Sequence, residues 1–194
     1  MFRPSAVKLR AARLLTGRFA APLLGAALIL SAAPASAALA PGARAPDFSA
    51  QGALAGKAFS FALGNALKKG PVVLYFYPKA FTSGCTIEAH EFAEATPEFA
   101  KLGATVIGMS ADDIDTLKRF SVEECRNKFA VASASPAVIK SYDVALAPGV
   151  AMSNRTSYVI APDGRILFAY TAAEPLGHIK GALQAVRAWK AGRK

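Results

Sequence analysis

In the stretch "YFYPKAFTSGCTIEAHEF", Tyr75 to Phe92, Cys85 stands where an apolar run stops and a helical pattern starts, with Pro78 seven residues ahead of it and Thr82 three ahead. A thiol at the first turn of a helix faces unpaired backbone N–H groups and the positive end of the helix dipole, and both favour the thiolate, which is the reactive form. Thr82 is placed to offer a hydroxyl to the oxygen or sulfur that the thiolate meets, and Pro78 stiffens and shields the loop. The chemistry this spacing suits is nucleophilic attack by an activated sulfur. The chain has one other cysteine, Cys125 in "FSVEECRNKF".

The elements around these residues read as alternating strands and helices. "PVVLYFY" (71–77) is a continuous β-branched and aromatic run, expected as a strand buried on both faces, and "ATVIGMS" (104–110) repeats the pattern. Between them a helix is expected from Gly84 to about Lys101, kinked or split at Pro97. Ser110 is expected to cap the next helix, whose Ile114, Leu117 and Phe120 recur on one face and whose stripe reaches Cys125. "TSYVIAP" and "DGRILFAY" predict a hairpin with a tight Asp-Gly turn, and "GHIKGALQAVRAWKAG" a closing helix. The sum is an α/β fold, a central mixed sheet with helices on its faces.

Composition bounds the setting. The first 37 residues carry Arg3, Lys8, Arg10, Arg13 and Arg18 with no acid, then an apolar stretch from about Phe19 to Ala33, then Ala35-Ser36-Ala37. This is the pattern of a cleaved secretory signal peptide, since the apolar run is shorter than the ~20 residues of a spanning helix. Without those five cations the 23 Lys and Arg of the chain become 18 against 13 acids, and the formal net charge falls from +10 to +5. The remaining basic residues are scattered, so no nucleic-acid footprint is expected. Residues 38–194 suit one exported domain, expected in the periplasm and without stable membrane association. Two histidines and two cysteines without ligand spacing predict no metal site.

The residues resemble the peroxiredoxins. Pro78, Thr82 and Cys85 stand at the spacing of that family's Pro, Thr and peroxide-attacking cysteine, and Gly84 to Glu88 is similar to the Gly-Cys-Thr-x-Glu core of the bacterioferritin comigratory protein or peroxiredoxin Q branch. "APDF" (45–48), "LGATVIGMSADD" and "NRTSYVIAPDGRI" extend the likeness over most of the chain, and Arg155 matches the arginine that in the family orients the peroxide and holds the cysteine ionised. The resemblance implies a thioredoxin-like fold and reduction of hydrogen peroxide and organic hydroperoxides without cofactor, metal or flavin. It also implies a thioredoxin-like or glutaredoxin-like thiol reductant and a monomer. Many members place a resolving cysteine five residues after the reactive one, where this chain has His90; others carry it in the helix after the second strand, where the candidate is Cys125. "FAVASASPAV" also departs from the bulkier aliphatic segment usual in the branch.

Other roles compete for the same residues. Two cysteines in an exported chain can form a structural disulfide, worth ~3 to 4 kcal/mol for a loop of about 40 residues. Cys125 also suits a buried helix face as a core residue. Arg155 can pair with Glu88, which is compatible with a catalytic role. His90 is expected on a solvated helix face, and His178 as a helix-start residue. The competing function is a thiol–disulfide oxidoreductase or redox-binding module of thioredoxin-like fold, which would carry a second cysteine at the position of Glu88.

Overall fold

The computed structural model describes residues 38–193; the expected signal peptide over residues 1–37 lies outside the described residues. In chain order the elements are β1 (Ser49–Leu54), β2 (Lys57–Ala62), α1 (Leu63–Leu67), β3 (Val72–Phe76), α2 (Ser83–Lys101), β4 (Thr105–Ser110), α3 (Ile114–Glu123), β5 (Ala130–Ser133), α4 (Pro136–Ser141), β6 (Thr156–Ile160), β7 (Ile166–Thr171) and α5 (Leu176–Ala191). The strands form one mixed sheet in the order β2-β1-β5-β4-β3-β6-β7, with β3, β4 and β5 parallel and the outer pairs antiparallel.

All five residues of β3 are buried because helices cover the sheet on both faces. Val73 and Tyr75 join Phe92, Phe99, Leu117, Phe120, Ala182 and Val186 on one side, while Val72, Leu74 and Phe76 join residues of α1 and α4 on the other. Across the parallel β3–β4 pair Tyr75 lies opposite Gly108, and a Cβ on that glycine would stand 2.8 Å from the tyrosine ring. The ring is stacked on Phe92 of α2 at 4.3 Å between centroids. A residue without a side chain on β4 is therefore what lets the aromatic layer lie flat.

Two local expectations are corrected. Pro97 does not split α2, which runs unbroken from Ser83 to Lys101; Phe92 and Ala93 before the proline and Phe99 after it are all buried, and this packing offsets the missing N–H bond. Ser110 is the last residue of β4 rather than a cap, with its hydroxyl donating to Asp112 at 2.8 Å. Asp113 caps α3 instead, accepting from the N–H of Thr116 at 2.8 Å.

At the far end of α5 the single tryptophan, Trp189, is half-buried beneath Arg193, whose guanidinium lies 5.0 Å from the ring centroid. With Pro71, Leu102 and Gly103 it lines a cleft where β3 begins.

Candidate active site

The site forms where β3 ends. Beyond Phe76, Tyr77 keeps one more sheet bond, its N–H to the carbonyl of Met109 at 2.9 Å, and the chain then turns at Pro78. The loop is pinned below: the N–H of Ala80 donates to Asp112 at 2.8 Å, and Phe81 meets Phe120 of α3 edge-on at 5.2 Å. α2 starts at Ser83, so Cys85 is its third residue, and the first helical bond runs from the N–H of Thr86 to Thr82 at 2.9 Å. The amides of Ser83, Gly84 and Cys85 precede that bond and have no partner in the helix ladder. Cys85 is 2% exposed.

Arg155 reaches this point through strand register. β6 runs antiparallel to β3 with Thr156 opposite Phe76, which brings the residue just before β6 beside the end of β3. Nη2 of Arg155 then donates to Cys85 Sγ at 3.5 Å, Nη1 to Glu88 Oε2, and Nε to the carbonyl of Ala173 at 3.1 Å. One planar group joins three segments, a task the guanidinium fork performs and an ammonium does not. Gly84 leaves room for it, since a Cβ there would stand 3.0 Å from Nη2. Burial opposes the charge of Arg155, but Glu88 and Cys85 outweigh it and push the guanidinium pKa up.

Thr82 differs from its expected role in one respect. Its hydroxyl donates to the carbonyl of Lys79 at 2.9 Å, so its proton is engaged and its oxygen is left to accept. Pro78, with Leu146, Asn154, Arg155, Thr171 and Ala173, lines a largely apolar cleft of about 250 Å³ that opens beside the guanidinium.

Behind Arg155 and Glu88 lie His178 and Ser157, which the sequence does not assign to the site. His178 is buried in α5, not a plain helix-start residue. Its Nε2 lies 3.0 Å from the carbonyl of Ala172, which can only accept, so Nε2 carries the proton and Nδ1 accepts from the hydroxyl of Ser157 at 2.8 Å. The same Nδ1 is 3.8 Å from Oε1 of Glu88, an oxygen without a hydrogen-bond partner. Burial pulls His178 down to about 4 and pushes the fully buried Glu88 up to about 8 against the pull of Arg155. The spacing of His178, Ala182 and Val186, all buried on one stripe of α5, is the signal from which this inward histidine could have been found.

Cys125 lies just past the end of α3 rather than on its face. It is fully buried in the same cluster as Cys85, Tyr75, Tyr77 and Phe120, and burial pushes its thiol well up. Both cysteines are free. His90 is not merely solvated, since its Nε2 lies 2.6 Å from Glu124 Oε2, next to Cys125.

Three comparisons bear on this geometry. Residues 41–169 match the AhpC/TSA family. The peroxiredoxin Bcp of Xanthomonas campestris is 30% identical over 122 residues, 60% of this chain and 76% of that protein. In structure the chain is similar to the peroxidoxin BcpB of Mycobacterium tuberculosis, with a TM-score of 0.69 at 32% identity, covering 76% of this chain and 96% of that one. It is also similar to the bacterioferritin comigratory protein of X. campestris, with a TM-score of 0.62 at 28% identity, covering 72% and 91%. The mixed sheet and its helices match the thioredoxin-like fold of these proteins.

Proposed function

The chain belongs to the AhpC/TSA family, on its bacterioferritin comigratory protein branch, and from that premise we propose how its side chains divide the work of a thiol peroxidase. Cys85 is the peroxidatic residue, and the observation that carries this is the hydrogen bond from Arg155 to its sulfur at the start of α2. Negative charge on Sγ is stabilised there by the guanidinium and by the unpaired amides. The thiolate attacks the terminal oxygen of the hydroperoxide; the S–O bond forms as the O–O bond breaks. The departing alkoxide or hydroxide takes a proton from solvent, and Cys85 is left as a sulfenic acid.

Arg155 and the amide of Cys85 meet the charge that moves onto the leaving oxygen, as in other sites built from fixed donors. Thr82, its own proton given to Lys79, accepts from the O–H of the peroxide and orients it. Pro78 limits access of water. Alkyl peroxide reduction is an activity of the X. campestris protein, and the apolar cleft at Leu146 and Ala173 supports organic hydroperoxides as substrates here beside hydrogen peroxide.

Resolution falls to Cys125: its sulfur attacks the sulfenic sulfur, the disulfide forms and water leaves. Because Cys125 is buried and protonated, the turn that carries it must open first. The disulfide is then reduced by a thioredoxin- or glutaredoxin-type thiol. The basic, then apolar, then small-residue pattern of residues 1–37 supports export, a periplasmic setting and a reductant resident there. We further infer that the enzyme works as a monomer, which light scattering of the reduced and oxidised protein tests.

The main test is peroxide consumption with dithiothreitol, followed by mass spectrometry after one equivalent of peroxide. Cys85→Ser is expected to abolish turnover, and the wild type to lose two hydrogens' mass without dimerising. A Cys85→Ser protein that consumed peroxide as fast as wild type would sink the assignment. Insulin reduction without peroxide consumption would instead favour the oxidoreductase reading.

A further inference from the structure

His90 and Glu94 stand one turn apart on α2, and each grips a residue that flanks Cys125. His90 Nε2 lies 2.6 Å from Glu124 Oε2, with side chains 34% and 20% exposed. Arg126 Nη1 donates to Glu94 Oε1 at 2.6 Å, nearer to solvent. The turn between these anchors is closed by three backbone bonds: the N–H of Cys125 to Phe120 at 3.0 Å, that of Asn127 to Ser121 at 3.0 Å, and that of Lys128 to Cys125 at 2.9 Å.

That turn is also strained. Arg126 and Asn127 both hold left-handed backbone, with φ of 52° and 59°, and neither is glycine. Two successive side-chain-bearing residues in that region persist only where their surroundings hold them. Strain favours opening, and the two side-chain contacts to α2, His90 with Glu124 and the Arg126–Glu94 ion pair, oppose it. Cys125 is fully buried behind them, and no bond joins it to Cys85.

We propose that His90 and Glu94 are positioning residues for the resolving step: through Glu124 and Arg126 they keep the Cys125 turn closed against α2, and thereby set how long the Cys85 sulfenic acid persists. The proposal rests on the reading of Cys125 as the resolving thiol. While the turn is closed the sulfenic acid can react with a second hydroperoxide, giving the sulfinic acid and an alcohol or water. When the turn opens, the thiol of Cys125 condenses with the sulfenic acid, giving the disulfide and water.

Two measurements separate the clamp from the chemistry. In a Cys85→Ser background, alkylation of the one remaining thiol reads opening of the turn directly. His90→Ala and Glu94→Ala are each expected to speed it roughly two- to fivefold, the range that part-exposed polar contacts support, and about tenfold together. Exchanging the charges, Glu94→Arg with Arg126→Glu, is expected to return the rate toward wild type, while the urea midpoint of global unfolding falls in the alanine variants only by what the lost contacts contribute and recovers with the exchange. With Cys85 intact, the alanine variants are expected to form the disulfide faster and to accumulate less sulfinic acid under excess peroxide. An alkylation rate unchanged in the double alanine variant, or a raised rate that the charge exchange does not restore, would overturn the clamp. Faster alkylation in a protein whose wild type never forms the Cys85–Cys125 disulfide would overturn the resolving role on which the kinetic half of the proposal depends.

Discussion

At Arg155 three partners depend on one planar group: the sulfur of Cys85, the carboxylate of Glu88 and the carbonyl of Ala173. A lysine keeps the charge but reaches at most one of them, so Arg155→Lys is expected to lose on the order of 10²- to 10³-fold in peroxide reduction. Turnover within a few-fold of wild type would show that the fork is not needed. His178 allows a second test, in stability. Burial holds it neutral, with a pKa of about 4 against an ordinary 6.5, so the unfolded chain takes up a proton in that window while the folded one does not. The contribution is complete above pH 6.5 and is lost as pH falls toward 4, an effect of about 3 kcal/mol. Glu88, raised to about 8, acts with the opposite sign, contributing stability at low pH that is lost as pH rises through 8. His178→Gln is expected to remove the loss of stability that His178 causes between pH 6.5 and 4, read as the difference between the two proteins' urea unfolding at steps of pH; parallel curves for the two proteins would refute a buried neutral histidine. Of these residues, the placement of Pro78, Thr82 and Cys85 was legible locally, because one strand-to-helix turn holds all three. Arg155 was legible only by family likeness, and the contact of His178 with Ser157 not at all, since it depends on how α5 docks on β6.

The elements show why sheet register governs the site. Tyr75 lies across Gly108 and against Phe92, so the β3–β4 pair and α2 meet in one aromatic layer of the core cluster that also holds Cys85. Gly108→Ala would gain some backbone entropy, worth less than about 1 kcal/mol. The added methyl has nowhere to go, because the ring it meets is fully buried and stacked, and overpacking of this kind costs ~1 to 3 kcal/mol. The cost is expected to win, lowering the melting temperature by several degrees in calorimetry; a rise would mean that the layer is loosely packed. β3 and β4 were legible as unbroken apolar runs because both faces of the sheet are covered. β5 was not, being built of Ala-Val-Ala-Ser, too small to announce a strand. Nor was the β1–β2 hairpin, whose turn places Ala55 at φ 50° before Gly56, where Asn or Asp is the usual marker. The end of α3 ahead of Cys125 was missed for a similar reason, since Arg126 and Asn127 turn the chain left-handed without a glycine.

Across the described residues, Cys85 and the single tryptophan of the chain, Trp189, lie toward opposite ends of the sheet. Cys85 lies in the first turn of α2, beyond the loop that leaves the last residue of β3, while Trp189 lines a cleft with Pro71 just before the strand's first, and the strand between these two ends spans about 17 Å. The second half of α2 is fastened to α5 by Glu98, which accepts from Nε of Arg187 at 2.9 Å, and by Lys190, which donates to the carbonyl of Lys101 at 2.8 Å. Opening confined to the first turn of α2 and to the Cys125 turn would leave the indole's surroundings intact. The protein is thus built with its own optical reference: tryptophan emission is expected to stay constant through peroxide addition and disulfide formation, and to change only when urea unfolds the whole domain. An emission change that tracked oxidation would mean that the rearrangement runs the length of α2 and into α5.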